Sequence, residues 1–181
     1  MAYVGGSIDH EACDAEPVDW YLMEQALRIK MLEMDSVETI SAGGNTLALI
    51  IRSSINIPGI SFFTPGNFSQ QLAYMQHPSG KKIIPHVHNI VHRDVAQTLE
   101  VLFVRKGRLR VDLYDDTHRY VESRVLRAGD VILLVSGGHG FEMLEAVEMF
   151  EVKQGPHVRD GDKTQIPDVP AHQIQTAGEK K

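Results

Sequence analysis

The amino-acid sequence predicts an all-β domain, a sandwich or closed barrel, with one helix ahead of it. Three observations carry this. Residues 37–155 form a succession of short runs rich in β-branched and aromatic residues. Turn-forming pairs punctuate those runs, among them Pro58-Gly59, Pro65-Gly66, Lys106-Gly107, Asp115-Asp116 and Gly137-Gly138. Residues 108–114 alternate polar and apolar, the period of a strand with one buried face. Short strands joined by tight turns fit a sandwich or barrel and not an alternating α/β fold.

Taken in order, residues 1–36 form an N-terminal helical segment. Val18, Leu22, Met23, Ala26, Ile29 and Leu32 recur at steps of three and four, and Pro17 stands where a helix could start. This stripe must be covered, by the barrel or by a second subunit. Strands are expected over residues 46–52, 70–75, 82–86, 99–104, 108–114, 120–126, 130–135, 140–144 and 147–152. Residues 156–181 are polar, contain three prolines and read as a loose tail over the surface.

Composition narrows the function classes. The 181 residues suffice for one domain with a core, and 43% hydrophobic residues is ordinary for a soluble protein. A formal net charge of -6, from 18 basic and 24 acidic side chains, gives no electrostatic reason to bind nucleic acid or anionic membrane. A single cysteine, Cys13, excludes an internal disulfide, and no apolar run approaches a membrane span; a reduced, cytoplasmic setting is expected.

The nine histidines matter by position. His86 and His88 stand two apart on an expected strand, so their side chains share a face about 7 Å apart along the chain. Two imidazoles on one face can reach a single ion, and imidazole suits zinc, iron, nickel, copper and manganese alike. The residues around them form a longer pattern. Gly80 precedes His86 by six positions, Glu100 is followed by Gly107, and Gly129-Asp130 leads through an apolar run and a turn into His139.

Taken together, these residues resemble the two motifs of the cupin superfamily, over residues 40–155. The resemblance implies a double-stranded β-helix, or jelly-roll barrel, holding a divalent metal ion (Fe, Mn, Ni or Zn) through His86, His88, Glu100 and His139. Two features depart from the pattern. Eleven residues separate His88 from Glu100 where the family has three or four, which reads as an enlarged loop and leaves His92 as an alternative ligand to Glu100. The turn before His139 is one residue shorter than usual and lacks proline.

If Glu100 and His139 face inward, alternation brings Leu102, Val104, Phe141 and Met143 with them, a largely apolar pocket. Gln71 or Tyr74 could add a polar contact, and Arg93 could attract an anion at the mouth. The resemblance implies an enzyme of isomerase, epimerase or dioxygenase type acting on a small oxygen-rich molecule, or a non-catalytic barrel that captures a sugar or carboxylate. A homodimer is expected from the helix stripe and exposed sheet edges.

Overall fold

The computed structural model describes residues 35–156, 161 and 163–177, together with the isolated positions Met23, Glu24, Leu27, Lys30 and Met31. Apart from those five positions and Asp35 and Ser36, the expected helical segment lies outside the described residues, as do His10, Cys13 and His157. None of the described helical residues forms a helix long and apolar enough to cross a membrane.

The architecture is all-β, with three antiparallel sheets. Ten strands follow one another: β1 Val37–Ala42, β2 Asn45–Ile51, β3 Gly59–Phe62, β4 Ala73–Gln76, β5 Glu100–Lys106, β6 Arg108–Tyr114, β7 Tyr120–Arg127, β8 Val131–Leu134, β9 Gly138–Met143 and β10 Glu148–Lys153. One sheet has the order β1-β2-β8-β5-β10, a second has β7-β6-β9, and β3 pairs with β4 alone.

The two larger sheets enclose the main core. It gathers Leu102 and Val104 from β5, Ile132 and Leu134 from β8, and Leu109 and Val111 from β6, among others. On β5 the inward positions are Glu100, Leu102 and Val104, as strand alternation requires. The outer face of the five-stranded sheet is covered in part by the 55–72 segment, where Phe63, Phe68 and Leu72 pack on Leu49 and Leu133. Strands buried on both faces explain why β2 and β8 read as continuous apolar runs.

A polar network ties the sheets together opposite the site. Asp130 is buried and accepts hydrogen bonds from Ser53 N, Arg127 N and Arg52 Nη1. Arg52 also binds Glu38, which in turn holds Arg124 of β7. Glycine is required just before Asp130. At Gly129 φ is +91°, and a Cβ would stand 2.7 Å from the Ser53 Cβ.

Two expectations need revision. Residues 82–86 form no strand, and the whole of 77–99 joins no sheet. Pro85 withholds one ladder donor, and among the described residues no strand lies in register with this stretch. The tail, for its part, is held down. Gln175 O accepts from Ser123 N, Ala177 N donates to Ser123 O, and the Tyr114 and Tyr120 hydroxyls accept from Val169 N and Gln175 N.

Candidate functional site

Glu100 opens β5, the strand flanked by β8 and β10. Its register places it opposite Lys153 on β10 and Leu134 on β8. The side chain points into the sandwich and is 5% exposed. His139 lies on β9, opposite Leu113 of β6, with its ring turned toward the same interior. The turn that aims it depends on Gly137, where φ is +68° and a Cβ would fall 2.1 Å from the Tyr114 carbonyl oxygen.

The two side chains meet across the sheets. Glu100 Oε2 stands 3.2 Å from His139 Nε2. Its other oxygen faces two ammonium groups, Lys163 at 3.5 Å and Lys153 at 3.8 Å. Burial pushes the His139 pKa down; the Glu100 charge opposes this and the Lys163 charge adds to it, with a net lowering. This lowering favours the uncharged imidazole, which keeps a lone pair for a proton or a cation.

This pair lines a cavity of about 560 Å³. Its walls are more polar than the alternation pattern predicts, with Gln97, Thr98, Ser136, Lys163 and Thr164 among them. Leu102 and Val104 do face inward with Glu100, but they sit deeper in the packed core. Phe141 and Met143 share the face of His139, 5.3 Å separating the Phe141 and His139 ring centroids, yet both are partly open to solvent.

The sequence-predicted ligands fall into two groups. Glu100 and His139 are together. His86 and His88 are also neighbours, their rings edge-to-face with centroids 5.3 Å apart. That second pair lies on the exposed 77–98 segment, where the His86 Nδ1 contacts Ile84 O. Among the described residues no three His, Cys, Asp or Glu side chains converge to hold an ion. His92 is on the same segment, 3.8 Å from Asp94, so it is Glu100 that lies beside His139. Arg93 is exposed there too. Gln71 is a structural residue, bonded to Thr64, Pro65 O and Phe68 O, and Tyr74 is half-buried on β4.

Sequence reasoning missed Lys153 and Lys163. The first is legible only through the β5–β10 register. The second stands on the tail, where a lone lysine in a polar stretch carries no signal.

Compared with known proteins, the chain matches no family model, no curated protein and no solved structure.

Proposed function

We propose that the protein is a metal-binding protein of cupin type, a jelly-roll barrel in which Glu100 and His139, with His86 and His88, hold a divalent ion. The observation that carries this reading is the 3.2 Å approach of a carboxylate oxygen to an imidazole nitrogen inside a cavity of about 560 Å³. Two donors each about 2.1 Å from a shared ion stand about 3 Å apart, so this spacing suits one ion between them. A mixed carboxylate and imidazole donor set suits Fe, Mn, Ni or Zn. The strand orders β8-β5-β10 and β7-β6-β9 support the jelly-roll reading.

The chemistry follows from the residues. The bound ion would act as a Lewis acid that polarises a substrate oxygen. To ligate through the Nε2 that faces Glu100 Oε2, His139 would have to carry its proton on Nδ1. Lys163, with Thr164, Ser136 and Gln97 around the cavity, supplies donors for a carboxylate or a polyhydroxylated molecule. The substrate class is thus a small oxygen-rich compound, transformed by isomerisation, epimerisation or oxygenation. A non-catalytic receptor for the same ligand is the second reading, favoured by the polar lining alone.

Elemental analysis of protein purified without chelator tests the site. About one divalent ion per chain is expected in the wild type, and loss of that ion in His139→Ala and in His86→Ala/His88→Ala. A protein that carries no metal and acquires none on titration overturns the proposal. Turnover of sugar and hydroxy-acid substrates by the loaded protein, against binding without turnover, then separates enzyme from receptor.

A further inference from the structure

The barrel is open on one side, and the chain carries a segment that fits the opening. β9 ends the three-stranded sheet and β10 ends the five-stranded one, and each has a partner on one edge only. The contact of His139 with Glu100 puts both edges on the same side of the sandwich, while Arg124 and Glu38 join the opposite side. Phe141 and Met143 face the interior from β9, opposite the core residues Val111 and Leu109, yet they are 36% and 49% exposed. On β10, Phe150 and Val152 lie on the outer face, in register with Phe103 and Val101, and are exposed at the sheet's edge. Inward-facing apolar residues on the β9 edge, which like the β10 edge has no further neighbour among the described residues, mean that a strand covering this side is missing.

Residues 77–98 are exposed throughout and join no sheet. This arm is nonetheless patterned as a strand. Ile84, His86, His88 and Ile90 fall on one face, and Ile84 and Ile90 are 83% and 103% exposed. The charge balance differs too, although Glu142, Glu145, Glu148 and Glu151 each also face a cation of their own barrel, Arg110, Arg108, Arg105 and Lys153. The arm carries Lys81, Lys82 and Arg93 against the single acid Asp94, whereas 138–153 carries Glu142, Glu145, Glu148 and Glu151 against the single cation Lys153. Ala96, Gln97 and Thr98, at the root of the arm, line the cavity that holds Glu100 and His139.

We infer that two copies of this chain exchange arms, the arm of each covering the open β9 and β10 edges of the other. The arm stands away from its own barrel, as an exchanged element does, and reciprocal exchange gives a closed two-fold dimer. It places His86 and His88 of the partner subunit beside Glu100 and His139, so each site is built from two chains. The composite site rests on the metal-binding reading above; the exchange itself does not.

The test uses the full chain. Light scattering on the wild type is expected to give a dimer, and Ile84→Glu/Ile90→Glu a monomer with unchanged circular dichroism. Both side chains are exposed in the protomer, so this variant has no core of its own to lose. In a Cys13→Ser background, Val87→Cys protein unfolded and refolded together with Glu142→Cys protein is expected to give a covalent heterodimer with a short bis-maleimide. A monomeric wild type, an undiminished dimer in the Ile84→Glu/Ile90→Glu variant, or cross-linking only within one chain of a Val87→Cys/Glu142→Cys double variant overturns exchange. Neither readout needs metal. For the composite site, His86→Ala/His88→Ala protein is unfolded and refolded together with Glu100→Gln/His139→Ala protein. About a quarter of the wild-type metal content is expected from random pairing, and none from either variant alone. No recovery, in a protein whose wild type binds metal, overturns the two-chain site. A metal-free wild type that still cross-links between chains sinks the metal reading and leaves the exchange standing.

Discussion

Glu100 Oε2 and His139 Nε2 lie 3.2 Å apart although 39 positions separate the residues, one at the start of β5 and the other near the start of β9. Their contact spans the gap between the two large sheets. Two ammonium groups on the far side of the carboxylate, from Lys153 and Lys163, leave Glu100 Oε2 as the oxygen free to share a ligand with His139.

Glu100→Gln should separate ligation from stability. Loss of the carboxylate is expected to weaken divalent-ion binding at least about tenfold. The metal-free protein should lose only about 1 kcal/mol, because the Lys163 partner is largely exposed and its charge is screened. Metal titration and urea denaturation in the presence of chelator check the two halves.

Asp130→Ala removes a buried acceptor from three donors at once. Ser53 N and Arg127 N lose this acceptor, and the Arg52 guanidinium, whose Nη1 still donates to Val125 O, keeps Glu38 as its charged partner. The expected loss is about 3 kcal/mol in urea denaturation. Asp130→Asn, which keeps an acceptor oxygen, should cost less.

Gly137→Ala should disturb the site through the backbone. The new Cβ would stand 2.1 Å from the Tyr114 carbonyl oxygen at a φ of +68°, so the turn must move. A destabilisation of about 2 kcal/mol or more is expected, together with weakened metal binding because His139 follows two residues later. Gly66→Ala, where a Cβ meets nothing within 4 Å, is the control and should change little.

Acid stability should depend on Glu38. Burial raises its pKa, but hydrogen bonds and charge from Arg52 and Arg124 outweigh that and hold it below the ordinary 4.5. A depressed carboxylate contributes stability above the unfolded-state value and loses it as pH falls through the folded-state value. The wild type should therefore lose urea resistance below about pH 4.5. Glu38→Gln should be less stable at pH 7 and show a shallower decline over that acid window.

Much of the β architecture is legible from alternation and turns. Residues 108–114 and 120–126 became β6 and β7 almost to the residue, since each buries one face on the core and ends at a turn. Gly107 and Gly129 mark turns that their positive φ requires. β1 and β3 carry no clear strand signal, because Glu38, Ser41 and Ser61 interrupt the apolar pattern in short strands. The histidine-bearing stretch misled in the opposite sense. Its alternation is that of a strand, but pairing needs a neighbour, and residues 82–86 have none among the described residues. Half of the candidate site was readable for the same reason. Glu100 and His139 sit on strands whose faces are fixed by burial, whereas Lys153 and Lys163 reach Glu100 through a register and a tail path that no local pattern encodes.

The strand order β1-β2-β8-β5-β10 also governs when this protein can fold during synthesis. Both neighbours of β5 come later in the chain, and β2 waits some eighty residues for β8. Until then β1 to β7 have been released, of which β1–β2, β3–β4 and β6–β7 can pair as hairpins, with Ala48 and Ile50 on the core face of β2 still uncovered by β8. Closure of such distant pairings is slow compared with local hairpin formation. The nascent chain therefore passes through a stage in which the apolar face of β2 is uncovered and prone to association. Anything that lengthens that stage would reduce the yield of folded protein before it altered the finished site.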